Sequence, residues 1–203
     1  MKAYKFRPSS QLAFALDIIF NKRLHCADWQ TLNDPMEGMF AYSYSSSSEK
    51  DHSHQVEAII REKKQIKICS LSKTFDSHLL WSHYASGFDG LVVEVELPDR
   101  DERVKDVIYR GIFAQVSMEE YQNASDTAET ILSSKYNEWE YEKEIRVLNR
   151  SEWYSLRKSV TKIIIGHRMS PALVEALKII CDKKNICLTK STITDDGIMD
   201  FPI

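Results

Sequence analysis

Glu142, Glu144 and Arg146 recur at a spacing of two inside EWEYEKEIRVL (Glu138–Leu148). In an extended chain that spacing turns all three side chains to one face, with Ile145 and Val147 on the other. Two chemistries fit such a set. On a wet face its ion pairs are worth only about 0–1 kcal/mol. In a cleft, paired carboxylates stabilise a developing cation and exchange a proton with a reacting group. Taken alone, the segment favours the solvated face.

Two further stretches carry residues able to line a site. Tyr4-Lys5-Phe6-Arg7 alternates aromatic and basic side chains, and its plain reading is aromatics inward and bases outward. CSLSKTFDSHLLWSHYA (Cys69–Ala85) offers Ser70 and Ser72, then Trp81, His83 and Tyr84. Leu80, His83 and Tyr84 share one helical face, so the aromatics serve as core, or with the histidine they form a wall for a flat heterocycle.

These residues need elements to hold them. Ala3–Pro8 reads as a strand, and Leu12, Ala15, Leu16 and Ile19 follow the rhythm of an amphipathic helix. Leu24–Asp28 reads as a second short strand and Thr31–Gly38 as a turn-rich loop. The polar stretch 43–54 is expected to be a mobile loop, followed by a helix over 55–64 and a strand over 66–72. Asp76 or Ser77 caps a helix ended by Gly87. A strand over 90–97 has Val104–Arg110 as its expected neighbour. Ser117 and Glu120 form a capping-box pattern for a helix running toward Lys135. A strand over 160–166, a helix from Ser170-Pro171 and a last strand over 186–193 complete the pattern. Strands and helices mix without βαβ alternation, which gives an α+β class with a mixed, mostly antiparallel sheet and flanking helices.

With 203 residues and 43% apolar content the chain supports one core, read as a single domain over 1–203. A net charge of −3 exerts no global pull on nucleic acid or an anionic membrane. Cys26, Cys69, Cys181 and Cys187 lack zinc spacing, so no metal is expected and the thiols suit a reducing compartment. Leu12–Phe20 is too short to span a bilayer and Asp17 interrupts it. A cytoplasmic protein without a membrane partner is the expectation. There is no G-x-G-x-x-G or Walker loop, which argues against a Rossmann dehydrogenase or a P-loop enzyme. A nuclease would need a second acidic set that the sequence lacks.

Read in order, YKFRP, LNDPME, CSLS, LLWSHYASGFDGLVVEV, WEYEKEIRVL and IIIGHRMS resemble the bacterial family catalogued as domain of unknown function 2971. The resemblance covers nearly the whole chain and names no reaction. The layout is also similar to the ADP-ribosyltransferase group, which includes DNA-modifying toxins and phage-defence relatives. That similarity implies a split sheet and NAD as a substrate, with a protein or nucleic acid as acceptor, or water. It implies that Tyr4 or Arg7 serves as the first-strand element, with Arg7 gripping pyrophosphate. Ser70 and Ser72 become the second element, and Trp81, His83 and Tyr84 the wall against which nicotinamide or adenine stacks. Glu144 becomes the catalytic carboxylate and Glu142 its partner. The rival expectation is a non-catalytic interaction or regulatory domain in which Glu142, Glu144 and Arg146 form a structural cluster.

Overall fold

The computed structural model describes residues 1–44 and 52–203; residues 45–51 of the polar stretch expected to be a loop lie outside the described residues. β1 (Lys2–Pro8) runs through a short 3-10 turn into α1 (Leu12–Asn21). β2 (Arg23–His25) and β3 (Ala27–Asp28) follow, then a 3-10 turn at Trp29–Thr31, a loop, and β4 (Phe40–Ser43). α2 (Ser53–Lys63), β5 (Lys67–Ser72), α3 (His78–Tyr84) and β6 (Gly90–Glu96) come next. β7 (Val104–Asp106), β8 (Ile108–Arg110) and β9 (Ala114–Ser117) lead to α4 (Ala124–Leu132) and β10 (Ser134–Tyr136). A 3-10 helix at Asn137–Glu142 precedes β11 (Glu144–Asn149) and β12 (Trp153–Ser155). β13 (Lys162–Ile165), α5 (Pro171–Lys184), β14 (Cys187–Thr194) and β15 (Gly197–Pro202) end the chain.

Nine strands form one sheet in the order β15-β14-β13-β6-β1-β5-β11-β7, with β3 also on β5. Only β13 and β14 pair in parallel within it, so the molecule is α+β with a mostly antiparallel sheet. Period-two alternation sorts the two faces. Ala3, Leu71, Leu91, Val93, Ile145 and Ile163 turn toward α1 and α5, where they meet Ile18, Ile19 and Leu177 in the main core. Phe6, Val92 and Ile164 turn the other way, onto Leu80 and Trp81 of α3.

The sheet is divided at its middle. β1 pairs with β6 along its whole length, from Lys2↔Glu96 to Pro8↔Gly90. Against β5 it makes the single pair Tyr4↔Ser72. The other end of the same β5 edge belongs to β3, through Ala27↔Ile68 and Asp28↔Lys67. β1 and β5 therefore diverge below one residue pair, and the gap between them opens a cleft.

Several expected elements take other places. Val104–Arg110 is two short strands, and β7 pairs with β11 rather than with β6. α4 starts at Asn123, whose side chain accepts the Asp126 N–H at 2.8 Å, and not at Ser117, which ends β9. Leu24–Asp28 breaks at Cys26 into β2 and β3, and β15 follows the strand expected to be last. Ser77, not Asp76, caps α3 by accepting the Leu80 N–H. Glu138–Leu148 is only half extended: Asn137–Glu142 coils, Lys143 takes a left-handed turn at φ 44°, and β11 begins at Glu144.

Candidate functional site

The cleft at the divided sheet has a volume of about 290 Å³. β1 brings Tyr4, Lys5 and Arg7 to it, β5 brings Ser70 and Ser72, α3 brings His83 and Tyr84, and β11 brings Glu144 and Arg146. Register explains the gathering of the strand residues other than Lys5 and Arg7, which lie at odd positions of β1. Tyr4 lies opposite Ser72, Ser72 opposite Glu144, and Ser70 opposite Arg146, so even-numbered positions on three strands face one side. Glu142 precedes the strand, yet the left-handed turn at Lys143 returns its carboxylate to the side of Glu144.

A chain of alternating charge fills the floor. Arg146 is fully buried and donates from both terminal nitrogens to Glu37, at 2.6 and 2.7 Å. It also donates to Glu144, at 2.8 Å from Nε and 3.1 Å from Nη2, and to the Leu132 carbonyl at 2.7 Å. Lys135, also buried, donates to Glu142 at 2.6 Å and to Glu144 at 3.1 Å. The Tyr84 hydroxyl donates to Glu142 at 2.5 Å and accepts from the Asn33 side-chain amide at 2.8 Å. The Ser72 hydroxyl donates to the Glu142 carbonyl at 2.6 Å.

Environment moves the two glutamates in opposite directions. Burial pushes the Glu142 carboxyl above its ordinary value, more than Lys135 and the Tyr84 hydrogen bond pull it back. Burial also opposes the charge on Glu144, but Arg146 and Lys135, with hydrogen bonds from Arg146 and Ser70, hold it down at about 2. Arg146 is driven up: its desolvation is outweighed by Glu144 and Glu37. The floor thus holds one carboxylate whose charge its neighbours favour and one whose charge burial disfavours, the separation that lets neighbouring acids play different parts.

Two cations of β1 also line the cleft. The Lys5 ammonium crosses the gap to the Ser70 carbonyl at 2.6 Å, and burial lowers its pKa. Arg7 lies over the Phe14 ring at 5.3 Å, and its Nε is buried without a hydrogen-bond partner among the described residues.

Of the residues singled out in the sequence, Tyr4, Arg7, Ser70, Ser72, His83, Tyr84, Glu142 and Glu144 line the cleft. Trp81 does not. It is wholly buried, stacked on Phe88 at 5.1 Å and edge-on to Phe6, with its indole N–H on the Phe75 carbonyl at 2.7 Å. The glutamates and Arg146 form no wet face, since all three are buried. Sequence reasoning left out Asn33, Glu37 and Lys135. Glu37 sits in a loop legible only as a turn, and Lys135 fell at the end of an expected helix. The one available signal was imbalance: two neighbouring buried glutamates need more than a single arginine.

Among the described residues, no group of three or more histidine, cysteine or acidic side chains is placed to hold a metal, and no helix is long and apolar enough to cross a membrane. No family model, curated protein or solved structure matches the chain. The similarities drawn from its motifs therefore rest on those motifs alone.

Proposed function

We propose that the cleft binds NAD and that the protein is an ADP-ribosyltransferase-like enzyme, of the toxin or phage-defence kind, transferring ADP-ribose to a macromolecule or to water. The carrying observation is the meeting of Tyr4, Arg7, Ser70, Ser72, Glu142 and Glu144, from three distant segments, where the sheet divides. The unpartnered Nε of Arg7 suits a phosphate oxygen. The cleft lies at the small end of ligand pockets, roughly 300–1,000 Å³, a size that seats the nicotinamide-ribose half of NAD and leaves the adenylate half to extend past Arg7 outside it.

Residue roles follow from the charges. NAD supplies a glycosidic C–N bond whose cleavage leaves positive charge on the ribose. Glu144, held ionised, provides the fixed negative charge that favours it. Glu142, with its raised pKa, accepts the proton of the attacking water or acceptor and releases it to solvent, while the Tyr84 hydroxyl donates to its carboxylate. Tyr4 and His83 form the walls, Ser70 bonds the Glu144 carboxylate and Ser72 fixes the backbone carbonyl of Glu142.

Incubation with NAD labelled on its adenylate half, with cell extract, tests the reading. Label transfer or nicotinamide release should appear and fall by about 100-fold in Glu144→Gln. Neither reaction in wild type, or equal rates in the variant, rejects it. One observation favours the rival reading, a non-catalytic interaction domain: Lys135 satisfies both carboxylates at once. Thermal unfolding separates the two. NAD raises the melting temperature of the enzyme, whereas a purely structural cluster ignores NAD while Glu142→Gln and Glu144→Gln each weaken the fold.

A further inference from the structure

A second pocket, of about 430 Å³, lies apart from the cleft between the Trp29–Ala41 segment and the end of α2. Its walls are Trp29, Met39, Phe40, Ile60 and Phe113, and two lysines, Lys63 and Lys64, stand at its edge. Lys63 is the unusual member. It is 5% exposed, yet its ammonium has no carboxylate within ion-pair distance among the described residues. It donates to the Gly38 carbonyl and lies 4.6 Å from the Trp29 ring and 5.0 Å from that of Phe40. Glu37 acts on it through space, but both Glu37 oxygens are occupied by Arg146.

An ammonium has three donors and a full charge. One carbonyl and two ring faces leave donors over and the charge uncompensated, in a setting where an unpaired charge is costly. Burial correspondingly lowers the Lys63 pKa to about 8. A group so placed beside an apolar pocket is complementary to an anion with an apolar body.

We propose that this pocket is a second binding site, for a small amphipathic carboxylate whose apolar body packs on Trp29, Phe40 and Ile60 and whose head pairs with Lys63. One desolvated cation matches a monoanion. The exposed Lys64 adds long-range attraction at the entrance. The site is independent of the NAD reading, since none of its walls belongs to the cleft. It abuts that cleft through the backbone, because Gly38, which accepts from Lys63, directly follows Glu37, which holds Arg146.

Calorimetric titration with octanoate, against octan-1-ol and inorganic phosphate, tests it. Octanoate should bind the wild-type chain at least tenfold more tightly than octanol or phosphate. Lys63→Met, which keeps an unbranched apolar stem, should lose at least tenfold in octanoate affinity. Ile60→Glu, at a position 40% exposed and therefore tolerant, should also lose it by setting a like charge on the wall. Glu144→Gln should leave octanoate binding unchanged, which separates this site from the cleft. No octanoate binding at millimolar concentration, equal binding of octanol, or affinity unaltered in both wall variants overturns the proposal.

Discussion

Glu142 and Glu144 start from the same ordinary pKa of 4.5 and are driven apart by what surrounds them. Glu144 falls to about 2 in the folded chain. Its contribution to stability is present above the unfolded value and is lost as pH falls toward 2. Glu142 has the opposite sign, because its folded pKa lies above the unfolded one. Its contribution is complete below the unfolded value and is lost as pH rises through the raised folded value. In urea unfolding at pH values above the unfolded value of 4.5, Glu142→Gln should therefore flatten the decline of stability with pH, by up to about 1.4 kcal/mol per pH unit. The Gln variant keeps the Tyr84 partner and removes only the titration. Identical slopes for wild type and variant would show that Glu142 is not raised.

The turn at Lys143 decides where these carboxylates meet. Its φ of 44° is the left-handed region, which costs a non-glycine residue about 1–2 kcal/mol. Both of its backbone groups are engaged: its N–H donates to the Glu140 carbonyl at 3.1 Å and its carbonyl accepts from Lys73 at 3.0 Å. The side chain is exposed and contributes little. Lys143→Gly should accordingly stabilise the chain by up to about 1 kcal/mol, the relief of left-handed strain less glycine's extra unfolded entropy, while Lys143→Val should destabilise it and disturb Glu142; chemical denaturation measures both. This turn also marks what the sequence conceals. Periodicity made β1, α1, β5 and α5 legible through one face turned to a core, and unbroken apolar runs did the same for β6 and β13, which are buried on both faces. A left-handed lysine has no such signature, as glycine or asparagine would. Glu138–Glu142 accordingly looked extended while it coils. For the site, strand spacing revealed Ser70, Ser72, Glu144 and Arg146. Glu37 and Lys135 escaped because pairing across 109 and 9 residues leaves no local pattern. For Trp81 the core reading holds and the ligand-wall role implied by the resemblance does not, because helical spacing alone cannot say which aromatic faces the core.

At the scale of the molecule, the divided sheet is two half-sheets meeting at one backbone pair. On one side β6, β13, β14 and β15 extend from β1 in continuous ladders. On the other, β3, β5, β11 and β7 form a second set. Beyond Tyr4↔Ser72, the polar ties across the opening include the Lys5 ammonium on the Ser70 carbonyl and, from α3, the Tyr84 hydroxyl on Glu142. A hydrogen bond from a charged donor is worth about 1.5–3 kcal/mol, so the Lys5 tie outweighs any single neutral ladder bond. Lys5→Met retains the stem and removes that tie. Stability should fall by about 1–3 kcal/mol, with the loss confined to one half of the molecule. Hydrogen exchange should quicken at least tenfold in β3, β5, β11 and β7, while β6, β13 and β14 exchange as in wild type. Uniform quickening would mean that the halves open together and that the division is a feature of pairing alone. Confined quickening would make the cleft a hinge, able to widen for a ligand without disturbing the core beneath α1 and α5.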